Sequence, residues 1–168
     1  MQGRFADEFA VGDRFTSHAR TITEADVVAF TSLTGIAGPT FTDDTFARST
    51  ALGSRLVPGP LVLAYALGLT SELVYGTVLA ALGIDEVRFL APTHHGNTVW
   101  VRTEVTAHRP SRSRPGTAIV VLGHEVFIDG LESPSCTFSR TMLSGTRAYM
   151  EDLRGPELQR VQDSRDGA

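Results

Sequence analysis

The chain has 168 residues, of which 42% are hydrophobic and 20% charged, with a formal net charge of −4. That length suits one domain with a sizeable core, and the acidic balance gives no electrostatic footprint for nucleic acid. The single cysteine, Cys136, excludes an internal disulfide and supplies no metal cluster. All 15 basic residues are arginines, scattered rather than patterned.

In chain order, Val11-Gly12-Asp13-Arg14-Phe15 reads as a turn leading into a strand, and Ala19 to Ile22 as an extended segment. No basic region followed by an apolar core precedes them, so no signal peptide is expected. Thr23-Glu24-Ala25-Asp26 places a hydroxyl three residues before a carboxylate, the pattern of a capping box. Val27, Phe30 and Leu33 then recur at helical spacing, and the helix should stop at Gly35. Gly35, Gly38 and Pro39 follow within five positions, marking a place where the backbone turns tightly. Thr42 to Ala51 reads as a second short helix, capped by Thr42 with Asp43 and Asp44 in its first turn. Adjacent acids at a helix start are ordinarily solvated capping groups, and that is the reading here.

Leu56-Val57-Pro58-Gly59-Pro60 opens the longest apolar run, Leu61 to Leu69. Pro60 suits a first helical turn because it needs no donor there. Taken alone, Pro-Gly-Pro simply starts a buried helix, and Tyr65 on that helix is a packing residue whose hydroxyl wants one partner. The apolar stretch Leu61 to Tyr75 is interrupted by Gly68, Thr70, Ser71 and Glu72 and is too short to span a bilayer. A soluble, cytoplasmic protein is the expectation.

From Ile84 the period becomes two: Val87, Phe89 and Ala91 alternate with Glu86, Arg88 and Leu90, and Val99, Val101, Thr103 and Val105 with Trp100, Arg102 and Glu104. Ala118 to Ile128 and Phe138 to Leu143 complete the series, with Cys136 a half-buried strand residue. Gly96-Asn97 and Asp129-Gly130 read as hairpin turns. His94 and His95 fall in an exposed turn with no third ligand spaced to join them, so no metal site is expected. Arg109 to Gly116 is a basic, breaker-rich connection, either solvated or suited to a phosphate. The order predicts α+β layering, a helix on one antiparallel sheet, in one domain over residues 1–150 followed by a polar tail over 151–168.

Gly35-Ile36-Ala37-Gly38-Pro39-Thr40-Phe41 resembles the Gly-Asp-x-Asn-Pro-Leu-His signature of the MaoC-like hydratases and dehydratases. Arg88 to Pro92, Gly96-Asn97-Thr98 and the segment preceding Gly35 are similar to the same family. The resemblance runs from about Phe9 to Leu143 and implies a hot-dog fold, a sheet wrapped around a long central helix. In that family the Asp and His of the signature are the catalytic pair, and here Ile36 and Phe41 stand in their places, with Gly38 in place of the Asn. A glycine matching Gly59 lends its backbone N–H to the thioester carbonyl, and Pro58 replaces the histidine before it. The implied substrate site is Ile36, Phe41, Pro58, Gly59 and Pro60. Thr40, Asp43, Tyr65 and His94 are the candidate substitutes for the missing acid and base.

The resemblance further implies an acyl thioester or polyketide-like substrate carried on coenzyme A or an acyl carrier protein, with no cofactor of the protein's own. It implies a homodimer or a heterodimer with an active relative. Isoleucine and phenylalanine transfer no protons, so ordinary enoyl-thioester hydration is expected to be absent or very weak. Three roles stay open: a repurposed dehydration, isomerisation or cyclisation; a non-catalytic subunit; and a binding or structural homodimer.

Overall fold

Strands of ten or more residues dominate the chain, shown here by a computed structural model that describes residues 3–153. After two short strands, β1 (Arg14–Thr16) and β2 (Arg20–Thr21), the long ones are β3 (Val78–Phe89), β4 (Thr98–Pro110), β5 (Thr117–Ile128) and β6 (Cys136–Gly145). All belong to one antiparallel sheet of order β1-β4-β5-β6-β3, with β2 also paired to β4. Val99, Val101, Thr103 and Val105 on β4 are buried, and so are Cys136, Phe138, Arg140 and Met142 on β6. That period of two turns one face of the sheet toward the helices.

The helices are α1 (Glu24–Thr34), α2 (Pro39–Thr42), α3 (Asp44–Arg48) and α4 (Gly59–Leu69). The Asp26 N–H donates to the Thr23 hydroxyl at 3.3 Å, and the Asp26 carboxylate accepts the Thr23 N–H at 2.7 Å, closing the expected capping box. Gly35 ends α1 with φ 73°, a left-handed cap that a β-carbon would strain. Leu61, Val62, Ala66 and Leu69 of α4 pack on Val99, Val101, Val126 and Phe138 of the sheet. Burial of each large side chain in such a layer contributes about 1.5–3 kcal/mol. The result is the expected α+β layering of helix on sheet.

Several local expectations are corrected. The helix expected from Thr42 to Ala51 is two pieces, because Pro39 starts its own turn and Asp43 is extended at φ −115°. Asp43, not Thr42, caps α3, accepting the Phe46 N–H at 2.9 Å. β3 begins at Val78 rather than Ile84, and its pairing with β6 slips between Val78 and Ala80, Ala81 and Gly83, and Asp85 and Arg88. Such bulges erase the period of two.

Gly96-Asn97 is not a hairpin turn, since β3 pairs with β6 and not with β4. The Gly96 N–H instead donates to the Ile22 carbonyl at 2.7 Å. Cys136 is fully buried rather than half-buried, and His94 and His95 are half-buried rather than exposed. Residues 147–153 are helical and seat Met150 in the interior. The rest of the expected tail lies outside the described residues. No helix among them is long and apolar enough to cross a membrane.

Candidate functional site

The first turn of α4 is built without side-chain capping. Pro58, the N-cap, has no side-chain donor or acceptor, and Pro60 has no N–H. The Leu61 and Val62 N–H groups both donate to the Pro58 carbonyl, at 2.9 and 3.2 Å. Among the described residues, no acceptor meets the Gly59 N–H. A free amide at the positive end of a helix is a donor for developing negative charge. Phe89 stands beside it: a β-carbon at Gly59 would fall 2.7 Å from the Phe89 Cζ.

The Gly/Pro loop is tied to the segment that precedes α4. Ile36 lies in the turn after α1, 36% exposed, and Phe41 lies half-buried in α2. The Leu56 N–H donates to the Thr40 carbonyl at 3.1 Å, tying α2 to the segment that enters α4. On the other side of that segment the Val57 N–H donates to the Thr93 carbonyl at 2.7 Å. Arg55 fixes it from below, its Nη2 at 2.6 Å from Glu24 of α1 and its Nε at 3.7 Å from Asp44 of α3. Sequence reading missed Arg55; its position just before the apolar run, within reach of the acids opening α1 and α3, was the available signal.

The four substitute acid–base candidates are placed differently. Asp43 is occupied as the α3 cap. Thr40 contributes its carbonyl to the Leu56 bond. The His94 Nδ1 lies 2.7 Å from the Ser54 hydroxyl and 3.2 Å from the Arg55 carbonyl, so its ring pins the same segment. Tyr65 has a buried hydroxyl with no hydrogen-bond partner among the described residues. Burial first, then the Asp26 carboxylate beside it, push that phenol up to about 12, so it keeps its proton at neutral pH. Six residues along a helix place Tyr65 about 120° around α4 from Gly59. It faces a different cavity, of about 350 Å³, bordered by Arg20 and Gly68. No cluster of His, Cys, Asp and Glu suited to a metal occurs among the described residues.

A helix laid on one antiparallel sheet is the α+β layering of the hot-dog fold. A Mycobacterium tuberculosis protein with a double hot-dog fold superposes with a TM-score of 0.76 at 23% identity, covering 86% of this chain and 44% of that one. The MaoC like domain matches residues 8–126, and the chain belongs to that family. The 3-hydroxybutyryl-CoA dehydratase of Methylorubrum extorquens is 34% identical over 116 residues, 66% of this chain and 71% of that protein. Protein MaoC of Klebsiella aerogenes is 32% identical over 99 residues, 59% of this chain, and this chain spans only 30% of its length. The MaoC-like dehydratase from Rhodospirillum rubrum superposes with a TM-score of 0.75 at 26% identity, covering 86% of this chain and 99% of the other.

Proposed function

We propose that the chain binds an acyl thioester, carried on coenzyme A or an acyl carrier protein, with the thioester carbonyl accepting from the Gly59 N–H. The observation that carries this reading is the Gly59 amide at the start of α4, unpartnered among the described residues. Hydration of an enoyl thioester needs a base to activate water and an acid to protonate carbon. Ile36 and Phe41 do neither, and they make the former water site apolar. General acid–base assistance is worth ~10²–10⁴-fold in rate, so ordinary hydration is absent or very weak. Dehydration and isomerisation need the same kind of proton transfer, so of the repurposed reactions only one driven by holding the substrate in a reactive shape, such as a cyclisation, suits the residues present.

A second reading is a non-catalytic subunit that pairs with another chain along β3, whose outer edge has no partner strand among the described residues. Leu82, Phe89 and Leu90 are 52%, 52% and 57% exposed on or just beyond that strand. An unpaired apolar edge is removed by pairing with a second chain. The test is crotonyl-CoA hydration by the parent chain and by the I36D/F41H variant. The parent should give no product above background, and the variant should gain activity. Turnover by the parent comparable to an intact relative refutes the proposal.

A further inference from the structure

The cavity of about 350 Å³ beside α4 has no part in the chemistry above. Leu61, Ala64, Tyr65, Gly68 and Leu69 line it from the helix, at the spacing of one helical face. Arg20 of β2 and His18 just before it line the other side. The hollow exists because Ala64 and Gly68 bring almost no side chain to that face: a β-carbon at Gly68 would meet nothing within 4 Å. Its volume falls in the range of small-molecule sites.

Two donors stand at this hollow. The Tyr65 hydroxyl is buried without a hydrogen-bond partner among the described residues, whereas a buried phenol ordinarily finds one. The Arg20 guanidinium lies over the Tyr65 ring, 4.6 Å from its centroid. Burial and then Asp26 raise the Tyr65 pKa while Arg20 opposes them, so the guanidinium is also near the hydroxyl. The Arg20 Nη2 meets Asp26 at 3.5 Å, one long contact for a group with five N–H donors. Asp26 is itself held by the Thr23 N–H at 2.7 Å and the Thr23 hydroxyl at 2.6 Å, and it does not line the cavity.

The lining sets the class of ligand. No acid is part of it, so a negative head group entering there meets donors. Asp26 behind Arg20 offsets part of the positive charge, which leaves a match for one negative charge and not for two. A guanidinium and a phenol O–H side by side suit the two oxygens of a carboxylate. Leu61, Ala64 and Leu69 make the remaining wall apolar, where a polar body would give up water without gaining a partner.

We infer that this cavity binds a small monocarboxylate with a short apolar body, its carboxylate held by Arg20 and the Tyr65 hydroxyl and its hydrocarbon laid along Leu61, Ala64 and Leu69. Tyr65 is ~9 Å along α4 from Gly59 and on another face of the helix. The site therefore stands whether or not the chain takes a thioester.

Following the full chain by ¹⁵N–¹H NMR during addition of hexanoate tests this, with hexanamide as the neutral isostere and inorganic phosphate as an anion without hydrocarbon. Hexanoate should shift the Arg20, Ala64 and Gly68 amides saturably, with millimolar affinity, and bind at least tenfold more tightly than either comparison. Tyr65→Phe should weaken hexanoate about tenfold, the loss of one hydrogen bond to a charged group. The melting temperature of the free protein should hold or rise in that variant, because an unpartnered buried hydroxyl is gone. Gly68→Leu should abolish binding in a folded chain, since leucine is the better helix former and its side chain leans back over Ala64 and Tyr65. Equal binding of hexanamide or phosphate overturns the inference, and so does the absence of saturable shifts. A Tyr65→Phe chain that loses stability but keeps its affinity also overturns it, because the hydroxyl then serves the fold. Unchanged affinity in Gly68→Leu places the ligand elsewhere and overturns it as well.

Discussion

Substituting alanine at Gly59 separates a ligand-approach glycine from a packing glycine. The new β-carbon would fall 2.7, 2.9 and 3.0 Å from three atoms of the Phe89 ring, so the ring must give. Phe89 is 52% exposed, and an exposed ring moves at little cost. Alanine also gains about 0.5–1 kcal/mol over glycine within a helix. The two effects oppose each other, and the net change in stability should stay within ~1 kcal/mol, a shift of no more than ~4 °C for a chain of this size. Binding should suffer much more, since the β-carbon and displaced ring crowd the free amide. Loss of one hydrogen bond of ~1.5 kcal/mol weakens thioester affinity about tenfold. Thermal melts and calorimetry with butyryl-CoA read both quantities on the same preparation. A drop in stability beyond ~2 kcal/mol with affinity unchanged would refute the reasoning, because Gly59 would then serve packing alone.

Thr23→Ala removes the cap that sets α1 ahead of the Gly/Pro loop and should cost ~1 kcal/mol at neutral pH. Asp26 is held below its usual pKa of 3.8, chiefly by the Thr23 hydroxyl. A depressed carboxyl stabilises above its unfolded pKa and loses that contribution as the pH falls through the folded one. The Thr23→Ala deficit should therefore shrink in acid; a deficit constant from pH 7 to pH 2, by urea unfolding, would count against the capping account. His124, pushed down to about 3 from 6.5, stays neutral in the fold while the unfolded chain takes up a proton. Stability should fall between pH 6.5 and 3 at up to ~1.4 kcal/mol per pH unit, and His124→Leu should flatten that slope; an unaltered slope in the variant would contradict the assignment. Leu82→Lys, on the open apolar strand β3, should shift a dimer to monomer in light scattering, and a dimer indifferent to it would place the interface elsewhere.

Much of the fold was legible because its signals are local. Thr23 and Asp26 are three residues apart, Gly35 closes the helix they open, and Val99 to Val105 declare a buried face by alternation alone. β3 was half hidden because Val78 to Gly83 is apolar without alternation, its ladder interrupted by bulges. Gly96-Asn97 looked like a hairpin because turn residues report a bend but not which strand pairs after it. β3 crosses to the far side of β6, a long-range choice that dipeptides do not encode. His94 was misjudged for the same reason, since the Ser54 hydroxyl and Arg55 carbonyl that hold it come from forty residues away. Arg140 and His124 could have been found: each falls in phase with buried apolar neighbours, Phe138 and Met142 for one, Leu122 and Val126 for the other. A charged or ionisable residue in the buried phase of a strand is the signal.

The central claim is that the Gly59 amide receives a thioester carbonyl in a chain without the usual proton-transfer pair. Following the Gly59 amide by ¹⁵N–¹H NMR during addition of crotonyl-CoA tests it most directly, because the same tube reports contact and reaction. The account predicts a saturable downfield shift of the Gly59 proton with crotonyl-CoA left unhydrated. A Gly59 resonance that stays fixed while other amides move, or accumulation of hydrated product at the rate of an intact relative, would contradict it.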